Sequence, residues 1–396
     1  MTDRWRNSLP HFSFRWGSPA LFDDATTCGA AGEVLRDPQT DTAYVTSYQG
    51  ARAVFASASL GNDTVARESK LRRRWGQGAV FELLSRRLEH HNPPTHTDLR
   101  RRRTPFFSLG SVSALRAFVR DELERLKVPA TNDQLDLVRT ILEPLARRSM
   151  MHFFGIAQSQ EQLVERGVNA WGELLEPDAA LSANSRAALL ELLALVRATR
   201  SSAADDSHPA KSLWMSLHGL SDAGAWFDTV LITSLSSGTQ NVRDLCAGMI
   251  LELAGRPDIQ CSLLAGGISA EAVVREALRV RGPVMFSGRT VLRPTRICGV
   301  DFAAGDHVSV AVSAANRDKS IWPDPERFEP FRALVPSLAL GHGIHYCLGA
   351  SLVRVLCEVI AESVPELLKD RRILSFERRA SNRFSGFTKL VVGDGE

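Results

Sequence analysis

Residues 339–350 read Ala339-Leu340-Gly341-His342-Gly343-Ile344-His345-Tyr346-Cys347-Leu348-Gly349-Ala350. Glycines 341, 343 and 349 remove the Cβ atoms that would keep backbone away from a large flat ligand, and they allow the positive-φ turns such a loop needs. Cys347 stands where Ala350-Ser351-Leu352-Val353-Arg354-Val355-Leu356 takes up a helical pattern. Free N–H groups at a helix N-terminus favour a thiolate over a thiol. The stretch therefore predicts a cysteine sulfur held against a planar cofactor, and the bland alternative is a buried free cysteine beside a Gly-rich turn.

The spacing Gly-x-Gly-x-His-x-Cys-x-Gly resembles the haem-ligand loop of the cytochromes P-450. The resemblance implies that Cys347 is the axial iron ligand of haem b, with Leu340, Gly341 and Gly349 against the cofactor. The family usually carries Phe seven residues before the cysteine, where this chain has Leu340. That departure implies altered electronics around sulfur with ligation kept. The fold expected by resemblance is mainly α with small β-sheets, an α+β arrangement in which a long central helix passes over the haem.

The rest of the chain is compatible with this. At 396 residues, no Pro/Gly/Ser-rich linker or shift of composition divides it, so residues 1–396 are expected to form a single domain. Hydrophobic residues at 44% and charged residues at 23% are ordinary for a globular protein. A net charge of +3 is too small to imply nucleic-acid binding. The cysteines at 28, 246, 261, 298, 347 and 357 contain no CxxC pair and suggest neither disulfides nor zinc. Met1-Thr2-Asp3-Arg4-Trp5-Arg6-Asn7 lacks an apolar signal core, and no apolar run is long enough to span a bilayer. The expected location is cytoplasmic, as in the soluble bacterial members of the family.

Along the chain, Thr42-Ala43-Tyr44-Val45-Thr46 and Ala53-Val54-Phe55 read as short strands, and residues 96–280 as almost wholly helical apart from a loop at 201–210. Phe227, Leu231, Leu235, Gly238, Val242, Leu245, Met249 and Leu253 recur at helical spacing after Ser221, the expected N-cap, and stop at Gly255-Arg256-Pro257. A helix of roughly thirty residues spans about 45 Å, enough to cross a domain. Past residue 282, Arg296–Phe302 and His307–Val312 read as β.

Glu276 and Arg279 lie three apart on one helical face and can pair. Their order in the chain, about seventy residues before Cys347, resembles the family's Glu-x-x-Arg pair, with Arg332 as third member of a buried ion network. His96 and Arg100 resemble a propionate-binding His-x-x-x-Arg, and Arg289 and His345 match further propionate ligands. Arg100-Arg101-Arg102-Arg103 extends beyond those needs; such runs are usually solvated, and by resemblance this one faces an acidic ferredoxin.

At the middle of the long helix the family carries an acid–alcohol pair that delivers protons for O–O cleavage. Here the corresponding residues are Ser237-Gly238-Thr239-Gln240-Asn241, with Gln240 in place of the acid and Asn241 in place of threonine. Neither amide titrates near neutral pH. Three explanations stay open: substrate, water, Ser237 or Thr239 supplies the relay; the enzyme uses peroxide or couples radicals; or the domain is a non-catalytic haem or partner-binding module. Substrate contacts expected by resemblance come from regions 61–90 and 165–195, from Val284, Met285 and Phe286, and from Phe384 and Phe387. Arg72-Arg73-Arg74-Trp75 reads as a solvated loop, with an anionic substrate or a carrier protein as the alternative partner. The activity implied is a monooxygenase acting on a small organic molecule in specialised, secondary metabolism. It would use O2 or peroxide and be reduced by ferredoxin and ferredoxin reductase, since no flavin or nicotinamide fingerprint is present.

Overall fold

The computed structural model describes residues 4–126, 134–176 and 181–394. The first three residues of the polar N-terminal stretch lie outside them. A helix from Ala223 to Ala254 runs through the centre. Of its eight periodic positions, the seven with apolar side chains are buried. The helices Glu143–Phe153, Ala183–Ser202, Ala270–Arg281 and Ala350–Leu367 pack around it and share one hydrophobic cluster with it. Burial of about 25 cal/mol per Å2 of apolar surface makes this cluster the main source of stability.

The helix starts differently from the sequence reading. Ser221 is not its cap; Asp222 takes the N-cap position in a left-handed conformation, φ 60°, with no side-chain capping bond. Packing of the apolar stripe therefore fixes this end, with no capping hydroxyl involved.

A five-stranded sheet has the order Val34–Asp37, Thr42–Val45, His307–Ala311, Phe286–Val291, Leu60–Gly61. Thr42–Val45 and His307–Ala311 run parallel, and the other neighbours are antiparallel. Ala53-Val54-Phe55 is not a strand but part of the helix Tyr48–Ala56. Ser47 caps that helix by accepting from the Gly50 N–H, and Tyr48, Ala51, Val54 and Phe55 form its buried face. Capping and a 3.6-residue period here outweigh the β-preference of Val and Phe.

Arg296–Phe302 is a hairpin, Thr295–Ile297 against Val300–Phe302, turning on Cys298 and Gly299 at φ 48° and 77°. Two positive φ values in succession are what a two-residue hairpin turn requires, and Gly299 adopts its share without strain. The helical reading of residues 96–280 is broken at Gln134–Asp136 and resumes at Val138. Gln134–Asp136 forms a strand beside Phe387–Asp394, which pairs in turn with Arg371–Arg378. Residues 379–386 form the tip of that last hairpin, reaching back beneath the long helix: Met285 N–H donates to Arg383 C=O at 3.0 Å, and Val284 bridges to Phe384.

Candidate active site

The loop at 338–349 is built by its own backbone. Gly341 N–H donates to Leu338 C=O at 2.9 Å and Cys347 N–H to Leu340 C=O at 2.8 Å, so the chain folds back on itself around the sulfur. Gly341 and Gly343 stand at φ 76° and 70°, and a Cβ on Gly343 would meet the Phe55 carbonyl oxygen at 2.6 Å. Those two glycines are required by conformation and by close approach respectively. The following helix begins at Ala350. Burial pushes the Cys347 thiol up, while the Gly349 backbone N–H and the Arg100 charge pull the other way.

Cys347 opens on a cavity of about 450 Å3 between its loop and the long helix. Leu340, Gly341, His345 and Gly349 line it beside the cysteine, and His96, Arg100 and Arg289 line its side. These expected cofactor residues are thus brought together from three separate segments. His96 lies on Thr95–Arg103, its ring 4.3 Å from that of His345, and both of its ring nitrogens are buried with no partner in the protein. Burial, then Arg100, lowers its pKa to about 4. Burial, then Arg289, lowers that of His345 to about 3. Arg100 donates to Tyr346 C=O at 2.6 Å, tying its helix to the cysteine loop. A buried imidazole without a partner, set among arginines, fits an anionic group such as a haem propionate. A Cβ on Gly349 would project into open space, leaving that side of the loop free for a flat ligand. The residues present therefore fit haem.

Glu276 and Arg279 form a buried ion pair at 2.7 Å, and Arg332 approaches Glu276 at 3.4 Å. The structure brings these three side chains together.

The distal residues divide. Ser237, Gly238 and Asn241 line the cavity, but Gln240 and Thr239 do not. Gln240 turns onto the helix Glu161–Leu175, its Nε2 donating to Val168 C=O at 3.4 Å and lying where a Cβ on Gly172 would intrude. Thr239 is buried on another face, its hydroxyl without a partner. A step of about 100° per residue explains this: 237, 238 and 241 share a face, and 239 and 240 turn off it. Thr233 and Ser234, one turn earlier on the cavity face, were not singled out in the sequence although they stand at the same helical spacing.

Val284, Phe286 and Phe384 line the cavity, whereas Met285 and Phe387 do not. Met285 is core beside Phe14 and Tyr44, and Phe387 packs on Phe376. Strand alternation sends neighbouring side chains to opposite faces, and the sequence alone does not say which face looks inward. Arg72-Arg73-Arg74-Trp75 ends the helix Thr64–Trp75, so it is not a loop, and it stays off the cavity. The basic run also divides: Arg101 and Arg102 pair with Asp98, while Arg103 is 2% exposed, lines the cavity and lies over the Trp226 ring at 5.6 Å. Arg103 is therefore no part of a solvated docking face.

The cavity wall also carries polar residues that the sequence does not single out by name: Asn62, Arg67, Arg87, Glu89 and His90, all within the expected contact region 61–90, and Arg383 outside it. Nothing in their local sequence marks them.

The cytochrome P450 family model matches residues 269–364, which include Glu276, Arg279 and the cysteine loop. Cytochrome P450 107B1 of Saccharopolyspora erythraea is 26% identical over 373 residues, covering 90% of each chain. Cytochrome P450 monooxygenase PikC of Streptomyces venezuelae is 26% identical over 343 residues, covering 85% of this chain and 80% of its own. Among solved structures, P450BioI in complex with hexadec-9Z-enoic acid ligated acyl carrier protein superposes with a TM-score of 0.83 at 20% identity, over 94% of this chain and 97% of that one, a likeness of fold. The chain is similar to the cytochromes P450, a family whose members are oxidoreductases that bind haem b. No helix among the described residues is long and apolar enough to cross a membrane.

Proposed function

We propose that residues 1–396 form one haem-thiolate domain that oxidises a small organic molecule of specialised metabolism, as a monooxygenase reduced by a ferredoxin and its reductase. The observation that carries this reading is the opening of Cys347 and the partnerless His96 on one cavity beneath the long helix. Cys347 would hold the haem iron through its sulfur, and His96, Arg100, Arg289 and His345 would hold the two propionates. Haem b bound through a thiolate supplies oxygen activation, the sulfur donating electron density that favours O–O cleavage.

This chain's own residues would hold the substrate and move protons. Val284, Phe286 and Phe384 form an apolar wall for the substrate. Ser237 and Asn241 line the same space, where the Ser237 hydroxyl can accept and release a proton along a chain of ordered water and the Asn241 amide can hold that water in place. Gln240, turned onto Val168, would support the helix and take no part in the relay. The decisive experiment is the ferrous–CO spectrum of the haem-loaded protein. A thiolate-shifted Soret band is expected, and a Cys347→His variant should lose it.

A second reading, turnover with peroxide or oxidative coupling, is favoured by the absence of a titrating acid at 240 and 241. Comparing turnover driven by reduced ferredoxin with turnover driven by hydrogen peroxide separates the two. The acyl carrier protein in the P450BioI complex supports a carrier-tethered substrate as a further variant of the first reading.

A further inference from the structure

Six arginines line the cavity, and Glu89 is the one carboxylate on its wall among the described residues. Two haem propionates and Glu89 would balance at most half of those charges. Three of the arginines stand apart from the propionate set and arrive from three elements. Arg67 comes from the helix Thr64–Trp75, Arg87 from the residue before the turn Leu88–His90, and Arg383 from the hairpin tip at 379–386. They are near enough that each of Arg67 and Arg383 is depressed first by burial and next by the charge of Arg87.

Their bonding leaves them under-compensated. Arg67 reaches His90 Nε2 at 2.9 Å and donates to Asn62 Oδ1 at 3.1 Å. His90 Nδ1 lies 2.9 Å from Leu84 C=O, which fixes its N–H there, so Nε2 accepts from Arg67 and the ring is neutral. Arg87 pairs with Glu89, yet its Nε is buried without a partner. Arg383 makes a 3.3 Å bond to Leu175 C=O. Arg67 and Arg383 thus have neutral partners only in these bonds. Like charges gathered in a partly desolvated space repel, and an anion among them relieves that cost. Val284 and Phe384, the latter next to Arg383 in sequence, supply apolar surface beside the cluster.

We propose that Arg67, Arg87 and Arg383 form a subsite for the carboxylate of the substrate, so that this enzyme acts on an organic acid whose apolar body lies against Val284 and Phe384. Guanidinium groups hold carboxylates through paired, charge-assisted hydrogen bonds, which a neutral amide cannot reproduce. The inference rests on the proposed reading of this cavity as the substrate site.

The test uses the haem-loaded full chain, titrated at about pH 7.5 by calorimetry and by the Soret spin-state shift. The probes are decanoate against decanamide and 2-naphthoate against 2-naphthamide. In at least one pair the acid should bind about tenfold or more tightly than its amide, as loss of a charged hydrogen bond predicts. In Arg67→Gln/Arg383→Gln protein that preference should fall to about threefold or less, with haem content and the ferrous–CO band retained. Equal or absent binding of acid and amide, a preference that survives the double substitution, or loss of haem from the variant overturns the subsite. A missing thiolate band in wild-type protein would instead sink the haem-thiolate reading, while calorimetry would still decide the acid preference.

Discussion

Glu276 holds Arg279 at 2.7 Å, and Arg279 extends past it to the carbonyls of Asn316, Pro325 and Arg327 at 3.1, 2.6 and 3.0 Å. Glu276 in turn accepts from the Glu329 N–H at 2.9 Å. The pair therefore clamps the helix Ala270–Arg281 to the irregular chain that leads into the cysteine loop, where Asn316 also accepts from Leu338 N–H at 2.7 Å. Replacing Glu276 by Ala leaves a buried guanidinium without its counter-charge, a loss of about 3–5 kcal/mol. The Ala variant should show a lower Tm and little haem per chain. Glu276→Gln keeps an acceptor for Glu329 and should lose less; equal haem content in the Ala variant and wild type would refute the clamp.

The features legible from the residues themselves are local, whereas Arg289, His345 and Arg332 were legible only through the family resemblance. The cysteine loop, Glu276 with Arg279, and His96 with Arg100 each lie within one turn or one helix, so spacing alone brings them together. The long helix was legible because its apolar stripe repeats from Phe227 to Leu253. What escaped reading depends on chain segments far apart. Arg67, Arg87 and Arg383 meet only through tertiary packing, and Arg67 and Arg87 sit in charged neighbourhoods that resemble solvated surface. Arg103 looks like its neighbours until helical phase is applied: it follows His96 and Arg100 on one face, whereas Arg101 does not. Met285 and Phe286 could not be separated, because alternation fixes that faces differ without saying which is inward.

His90 should make the protein acid-sensitive. Burial first, then the charge of Arg87, puts its folded pKa well below 6.5, against the opposing pull of Glu89. The groups facing it are Arg67, Arg87 and Glu89. Glu89 stays ionised throughout the window: burial raises its carboxyl, and the charge of Arg87 outweighs that and keeps it below its ordinary value. Below pH 6.5 the unfolded chain takes up a proton at His90 that the folded chain refuses, so stability falls with falling pH, by up to about 1.4 kcal/mol per unit. Chemical unfolding between about pH 6.5 and 5 should show a shallower slope for His90→Gln than for wild type. Parallel slopes would remove His90 from the account.

The basic run supports a split prediction for electron delivery. The Arg101 side chain is 76% exposed and makes only a short-range pair with Asp98, so its charge is available to an incoming partner. Arg101→Glu should slow reduction by an acidic ferredoxin at low salt, with the difference shrinking above about 0.15 M as screening sets in. Haem content should not change. Arg103→Glu replaces a buried cation that lies over Trp226 and should instead reduce folded, haem-loaded protein. Stopped-flow reduction and haem-to-protein ratio read the two effects separately.

Gln240 and Asn241 should respond differently when the family's pair is restored. Gln240 donates to Val168 C=O, and a carboxylate there would set two acceptors against each other in a half-buried space. Gln240→Glu should therefore lower stability by about 1–3 kcal/mol, the cost of an unmade buried hydrogen bond. Asn241 lines the cavity, so Asn241→Thr changes the bonding available to water and substrate while the helix keeps its packing. If the present amide is adapted to this enzyme's own chemistry, Asn241→Thr should lower native turnover, and the double variant should be both less stable and less active. Product formed per electron consumed, measured alongside thermal unfolding for each variant, distinguishes the outcomes. Higher turnover from Asn241→Thr at unchanged stability would mean that Asn241 is a defect in a conventional relay and not an adapted group.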